Sequence, residues 1–196
     1  MHLYVLVRSF RQYTQVSMSE RVNMNHSVTA TRHGSTGFTM ATDIAELRRI
    51  LREHSTIAVV GLSAEWHRPS YFAAKYMQEH GYRIVPVNPR YAGTSEGILG
   101  EPCYASLLDI PHPVDMVDVF RRSADVLPIA HQAIEIGARC LWQQLEVENS
   151  QADALARSHG LDSVMNRCVK IEHARLFGGL HWMGVNTGII SSQRPH

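Results

Sequence analysis

The apolar run at 57–61, Ile-Ala-Val-Val-Gly, constrains the fold of this chain more than any other feature. An uninterrupted apolar run of this length that ends at a glycine is typical of a buried strand in a parallel sheet. A basic segment follows it and leads to Pro69, a residue favoured at the first position of a helix. A strand, a glycine turn and a helix N-terminus in this order gather backbone N–H groups around one point, which suits a phosphate.

Strands and helices continue to alternate along the chain. Period-2 and short apolar runs predict strands at 57–61, 83–87, 114–120, 140–142 and 163–165, with a short one at Tyr104. Helical spacing predicts helices from Ile44 onward, with a capping box at Asp43 and Glu46, and at 70–80, 123–136 and 150–159. In the helix at 70–80 the residues expected to face inward are Phe72, Ala73, Tyr76 and Met77. The pattern predicts an α/β fold with one doubly wound, Rossmann-type parallel sheet, in an order such as 3-2-1-4-5-6.

Length, charge and cysteine content narrow the class of protein. The 196 residues suit one domain, and 44% hydrophobic residues are enough for a packed core. A net charge of +1 creates no field that would attract nucleic acid or a membrane surface, and no apolar run approaches the ~20 residues of a membrane span. The three cysteines are widely spaced and odd in number, as expected for reduced thiols. We therefore expect a cytoplasmic protein with a small-molecule ligand and no nucleic-acid or membrane partner.

Residues 1–42 differ from the rest of the chain. They contain four arginines and one acidic residue, Glu20, among many serines and threonines. One interpretation is a disordered extension, or a chain start annotated too early, with Met24 or Met40 as the true start. The alternative is a transit peptide, which is also rich in arginine and serine. A secretory signal is disfavoured because the apolar stretch at 3–7 is too short. We assign the folded domain, with a C-terminal tail, to 43–196.

Polar and cationic residues follow the predicted strands. In an open α/β sheet the ligand lies at the carboxyl ends of the strands, so these residues are the candidates for binding. They are Gly61, Ser63, Arg68, Pro69 and Ser70 after the first strand, Asn88, Pro89 and Arg90 after the second, Arg121 after the strand at 114–120, and Arg167 and Lys170 after the last.

The end of the second strand discriminates among nucleotide ligands. A dinucleotide fingerprint would need three spaced glycines and a carboxylate at this position to hold the ribose hydroxyl. Here only Gly61 is a glycine, and the strand runs into Asn88, Pro89 and Arg90. An arginine suits a phosphate on the ribose, which disfavours NAD and leaves NADP and coenzyme A.

Six segments carry a family resemblance: 57–63, 68–71, 85–89, 117–122, 165–173 and 186–188. In this order they resemble the stand-alone bacterial CoA-binding protein family (YccU-like), which is similar to the N-terminal CoA-binding domain of the succinyl-CoA synthetase α subunit. The resemblance covers about 43–194. It implies a Rossmann-type domain whose strand ends hold coenzyme A.

The resemblance also implies roles for single residues. Gly61 and Ser63 would approach the pyrophosphate, and Asn88 and Pro89 would line the adenosine side. Arg121, and Arg167 or Lys170, would lie near phosphates. Two positions depart from the family pattern: Asn166 replaces a common aspartate and Glu146 a common glycine. The first puts a carboxylate role there in doubt, and the second affects a turn.

Chemistry beyond binding has little support in the sequence. Related acyl-CoA synthetases need a second domain with a phosphorylated histidine and a nucleotide-binding subunit, for which 196 residues leave no room. We find no catalytic motif. Asp115 and Asp118 are expected to be ion-paired or capping acids, and Trp142 and Met165 core residues. The metal candidates Cys168, His173 and His181 match no zinc spacing.

Three functions remain open. The first is a CoA or acyl-CoA binder that acts as a carrier, sensor or accessory module and has no catalytic or metal site. The second is an NADP-dependent oxidoreductase on the same fold. The third is a subunit that completes an acyl-CoA ligase in trans.

Overall fold

Five parallel strands with helices on both faces make up the fold in the computed structural model, which describes residues 44–178. This confirms the predicted fold class. The N-terminal segment, the Asp43 half of the capping box, the segment at 186–188 and His181 lie outside the described residues, and the domain boundary at 43 stays a prediction.

Most elements lie within a few residues of their predicted bounds. The strands are β1 Thr56–Val60, β2 Arg83–Val87, β3 Met116–Val119, β4 Cys140–Gln143 and β5 Asp162–Val164. The helices are α1 Ile44–Glu53, α2 Pro69–Glu79, α3 Val126–Glu135, α4 Ser150–Ser158 and α5 Val169–Phe177, with 3-10 turns at Leu107–Asp109 and Ser123–Asp125. Helix α5 was not predicted, because the inward face of this helix includes two polar residues, Glu172 and His173, that interrupt the apolar period.

The strand order is β2-β1-β3-β4-β5. The predicted short strand at Tyr104 is a single parallel bridge to Val87, on the outer side of β2. Counting that bridge as a strand gives the expected order 3-2-1-4-5-6. The order in which strands are added to the sheet reverses direction between β1 and β3. The carboxyl ends of these two strands therefore border the crevice where such sheets bind ligands.

Two apolar layers enclose the sheet. One face packs under α1, α2 and α5 and includes Trp142, which is fully buried as predicted, whereas Met165 is only partly buried. The other face packs under α3 and α4. The expectation for Phe72 is wrong, since this side chain is 46% exposed. Helix α2 instead faces the core with Ser70, Ala73, Ala74 and Met77.

Asp115 joins the starting ends of three strands. Its carboxylate accepts hydrogen bonds from the N–H groups of Ser55 (3.0 Å) and Thr56 (2.9 Å) and pairs with Arg139 at 2.9 Å. Burial alone would raise the pKa of this carboxyl, but the Thr56 N–H and the Arg139 guanidinium outweigh it and hold the pKa below its usual range. The prediction of an ion-paired or capping acid is confirmed here, since Asp115 pairs with Arg139.

We expect Asp115→Ala to lower the free energy of unfolding by about 1–3 kcal/mol at pH 7, since two backbone donors and one guanidinium lose their acceptor. The exposed acid of the turn at 107–109 provides the control, so Asp109→Ala should change stability by less than about 0.5 kcal/mol. Urea denaturation measures both, and equal losses would refute a linking role for Asp115.

Candidate functional site

The tight turn at Gly61 forms the centre of the carboxyl edge. Gly61 has φ +88°, and a Cβ atom there would lie 2.4 Å from the carbonyl oxygen of Phe120 and 2.9 Å from the Cδ of Arg121. Its N–H donates to the Val87 carbonyl at 2.8 Å. Only glycine satisfies both the dihedral angle and the close approach. The turn therefore places the end of β1 directly beneath the Arg121 side chain.

The segment after this turn is fixed against the start of α2. The Ser63 N–H donates to the Ser70 hydroxyl at 3.1 Å, and the Ser63 hydroxyl accepts from the Glu65 N–H at 3.1 Å. Arg68 is the N-cap residue, with extended backbone and no side-chain cap, and Pro69 begins the helix. Ser70 is buried and holds the loop. No side chain caps the N-terminus of α2, where Pro69 has no N–H and the Tyr71 N–H donates to the Arg68 carbonyl at 3.0 Å.

Asn88 holds the loop after β2 in place. Its side-chain amide donates to the Leu62 carbonyl at 2.9 Å and accepts from the Arg90 N–H at 3.1 Å. The sequence predicted a ligand contact here, but the structure shows that both ends of this side chain already bond within the protein. Pro89 and Arg90 are exposed, and the Arg90 guanidinium lies 5.5 Å from the ring centroid of Tyr91.

Cations from three loops lie around the Gly61 turn. Arg68 pairs with Glu65 at 2.9 Å, and this hydrogen bond is the main reason that the pKa of the Glu65 carboxyl is lowered. The Arg90 charge also lowers that pKa, so the loops after β1 and β2 are neighbours. Arg121 is exposed, and its charge contributes to the lowered pKa of the Asp125 carboxyl, although no carboxylate in residues 44–178 lies within ion-pair distance of it. The structure thus gathers the candidates that follow the first three strands.

The two candidates near β5 are engaged elsewhere. The Arg167 guanidinium donates to Glu172 at 2.9 Å, and Glu172 is buried and also pairs with Arg175. The Lys170 ammonium lies 5.7 Å from the ring centroid of Tyr76 on α2. In the described part of the chain, neither side chain bonds to the Gly61 turn. Their contacts join α5 to its neighbours.

Asp118 is a titratable group that the sequence reasoning misassigned. It is fully buried near the end of β3, and the side-chain amide of Gln144 donates to both of its oxygens, at 2.7 and 2.9 Å. Burial raises the pKa of the Asp118 carboxyl to about 7, although the Gln144 and Val119 N–H groups oppose this. Within residues 44–178 it neither pairs with a cation nor caps a helix, so the expectation of an ion-paired or capping acid is wrong for Asp118. Local sequence gave no signal, because its partner is 26 residues away.

Residues 44–178 contain no candidate metal cluster and no candidate membrane span. No group of three or more His, Cys, Asp or Glu side chains there is placed to hold a metal ion. No helix in this range is long and apolar enough to cross a membrane.

The role of Gly61 is testable against Gly81, which has φ +90° but open space at its Cβ position. We expect Gly81→Ala to cost about 1–2 kcal/mol for the left-handed backbone alone. Gly61→Ala should cost about 1–3 kcal/mol more, because the methyl group also displaces the Phe120 carbonyl. Urea denaturation measures both losses. Equal losses would show that the close approach does not constrain the turn.

The raised pKa of Asp118 predicts a pH dependence. The unfolded value is near 3.8 and the folded value about 7, so the folded state binds the proton more tightly. The stabilisation that comes from this tighter proton binding is complete below the unfolded pKa and is lost as the pH rises through the folded pKa. Relative to Asp118→Asn, the wild type should lose stability from about pH 4 to about pH 7 and no further above that. Parallel urea-denaturation profiles of the two proteins over this range would contradict the prediction.

Comparisons with known proteins identify the family of this domain. Residues 55–174 match the CoA binding domain family. The uncharacterized protein YneT of Bacillus subtilis (strain 168) is 38% identical over 130 residues, which cover 66% of this chain and 93% of YneT.

Two solved structures are also similar. A hypothetical protein from Pyrococcus horikoshii OT3 is 38% identical with a TM-score of 0.67, covering 74% of this chain and 99% of its own. Cell-free ID.343 from Thermus thermophilus is 35% identical with a TM-score of 0.65, covering 69% and 99%. The matched range contains all five strands of the described sheet and the loops at their carboxyl ends. The chain belongs to the CoA-binding domain family.

Proposed function

We propose that this protein binds coenzyme A or an acyl-CoA at the carboxyl edge of its sheet and acts as a cytosolic carrier, sensor or accessory module. One observation carries the proposal: the Gly61 turn lies beneath Arg121 and beside the uncapped N-terminus of α2. A guanidinium and the positive end of a helix dipole beside one tight turn suit a diphosphate.

The diphosphate would lie against Gly61 and Ser63, between the start of α2 and Arg121. Arg121 is the main side-chain partner in this proposal, because it is exposed and its stem already crosses the glycine. Arg68 contributes from the N-cap position, where its guanidinium would bind the phosphate as well as Glu65. Both are charge-assisted donors, which form the stronger class of hydrogen bond to phosphate.

The adenosine end would lie over the loop after β2. Asn88 holds this loop by internal hydrogen bonds, so its ligand contribution is to position Pro89 and Arg90. Arg90 would face the ribose phosphate, which distinguishes coenzyme A from NAD. NADP also carries a ribose phosphate, so Arg90 does not distinguish the coenzyme A proposal from the oxidoreductase alternative. The ligand titrations described below distinguish them.

Arg167 and Lys170 have a secondary place in this proposal. The Arg167 side chain is 26% exposed and bonds to Glu172, which is 6% exposed. Removing it from that buried carboxylate would leave Glu172 paired with Arg175 alone and would cost one charge-assisted hydrogen bond, about 1.5–3 kcal/mol. The phosphate contacts therefore depend on the loops after β1 and β3, and no residue is assigned an acyl-transfer step.

The ligand is tested by thermal shift and titration calorimetry with coenzyme A, acetyl-CoA, NAD, NADP and ATP. Coenzyme A at 100 times its Kd should add about 2.7 kcal/mol to stability, and NAD should add almost nothing. Equal effects of coenzyme A and NAD would refute the proposal, and a larger effect of NADP would favour the oxidoreductase.

The site is tested with Arg121→Ala and Arg68→Ala. Each should weaken coenzyme A binding by roughly 1.5–3 kcal/mol, about ten- to a hundredfold, as expected for a hydrogen bond to a charged group. Arg83→Ala is the matched control, since this exposed arginine begins β2 at the opposite edge of the sheet.

Dephospho-CoA then separates the two kinds of phosphate. Removing a side chain that contacts the diphosphate weakens the binding of dephospho-CoA as much as that of coenzyme A. Removing one that contacts the ribose phosphate leaves the binding of dephospho-CoA unchanged. If both variants bind both ligands as Arg83→Ala does, the site lies elsewhere.

A further inference from the structure

Trp66 is the most exposed large apolar side chain within residues 44–178, at 71%. Exposed indoles are uncommon, since a buried tryptophan removes a large apolar area from water. The ring's aromatic neighbour is His67, edge-on, with centroids 6.0 Å apart. Most of the indole therefore remains available for a contact outside the chain.

The turn that carries this indole is well fixed. The Arg68 N–H donates to the Glu65 carbonyl at 3.0 Å, which closes a β-turn with Trp66 and His67 at its two central positions. The Glu65 carboxylate pairs with Arg68 at 2.9 Å and lies 3.4 Å from the His67 ring. The Glu65 N–H bonds to Ser63. An aromatic ring on a braced turn loses little conformational entropy when it binds a flat partner.

The surroundings of Trp66 indicate the chemistry of that partner. The turn lies between the Gly61 loop and the N-terminus of α2, and the Arg90 charge acts on its Glu65 carboxylate. An exposed indole on a turn whose Glu65 carboxylate interacts with Arg68 and Arg90 suits a heteroaromatic base that carries phosphates. A purely apolar partner would gain nothing from Arg68 and Arg90.

We propose that Trp66 stacks on the adenine of the bound coenzyme A and makes the site selective for the nucleotide end of the ligand. This inference rests on the proposed function. Stacking depends on the base and not on the ribose phosphate, so Trp66 acts equally on coenzyme A and dephospho-CoA. A phosphopantetheine group without adenosine does not contact it.

The test is titration calorimetry of the wild type, Trp66→Ala, Trp66→Phe and Leu108→Ala with three ligands: coenzyme A, dephospho-CoA and 4′-phosphopantetheine. Trp66→Ala should weaken both adenosine-containing ligands by about 5- to 150-fold, the range for one base stacked on an aromatic ring. Its affinity for 4′-phosphopantetheine should stay within about twofold of wild type. Trp66→Phe should recover most of the loss, because phenylalanine keeps an aromatic face.

Leu108→Ala is the control for removal of an exposed apolar side chain, since Leu108 is 48% exposed in the 3-10 turn at 107–109. It should leave all three affinities unchanged. An equal loss of all three ligands in Trp66→Ala would show that the residue only supports its loop, which overturns the inference. Normal coenzyme A binding by that variant also overturns it and leaves the proposed function intact. A wild type that binds no coenzyme A refutes the proposed function and this inference together.

Discussion

The contact between the Gly61 backbone and the Phe120 carbonyl determines the geometry of the whole carboxyl edge. There is no space for a side chain between them, so β1 and β3 end in register and the chain must turn away at once into the segment that leads to α2. The same contact places Arg121 over the turn. A single steric constraint thus brings together a strand end, a helix N-terminus and a cation.

Internal hydrogen bonds make this edge rigid before any ligand arrives. The Asn88 amide joins the loops after β1 and β2, and the Gln144 amide joins the loop after β4 to Asp118 in the core. Each bond satisfies a polar group that would otherwise be costly to bury. Since loops fixed in this way lose little entropy on binding, more of their interaction energy is available for affinity.

Sequence reasoning succeeded where the signal was local and failed where it was distant. The run at 57–61, the glycine turn and Pro69 are each readable within a few residues, and they located β1 and the start of α2. Helix α5 was missed because Glu172 faces inward to meet Arg167 and Arg175, a compensation invisible in a hydrophobic pattern. Asp118 was misassigned for the same reason, since the Gln144 amide comes from another strand end. The site loops were predicted, but the pattern did not reveal which of their arginines already pair with carboxylates of the protein.

Those existing partners rank the cations of the carboxyl edge. Arg68 and Glu65 are 57% and 36% exposed, and an ion pair so open to water contributes little to stability, so a phosphate can share that arginine at little cost. The Arg167 pair involves a carboxylate only 6% exposed, where loss of the charge-assisted hydrogen bond costs about 1.5–3 kcal/mol even though Arg175 stays paired with Glu172. Two guanidinium groups that look alike in sequence therefore differ in availability, and the less buried pair is the one that lies beside the Gly61 turn.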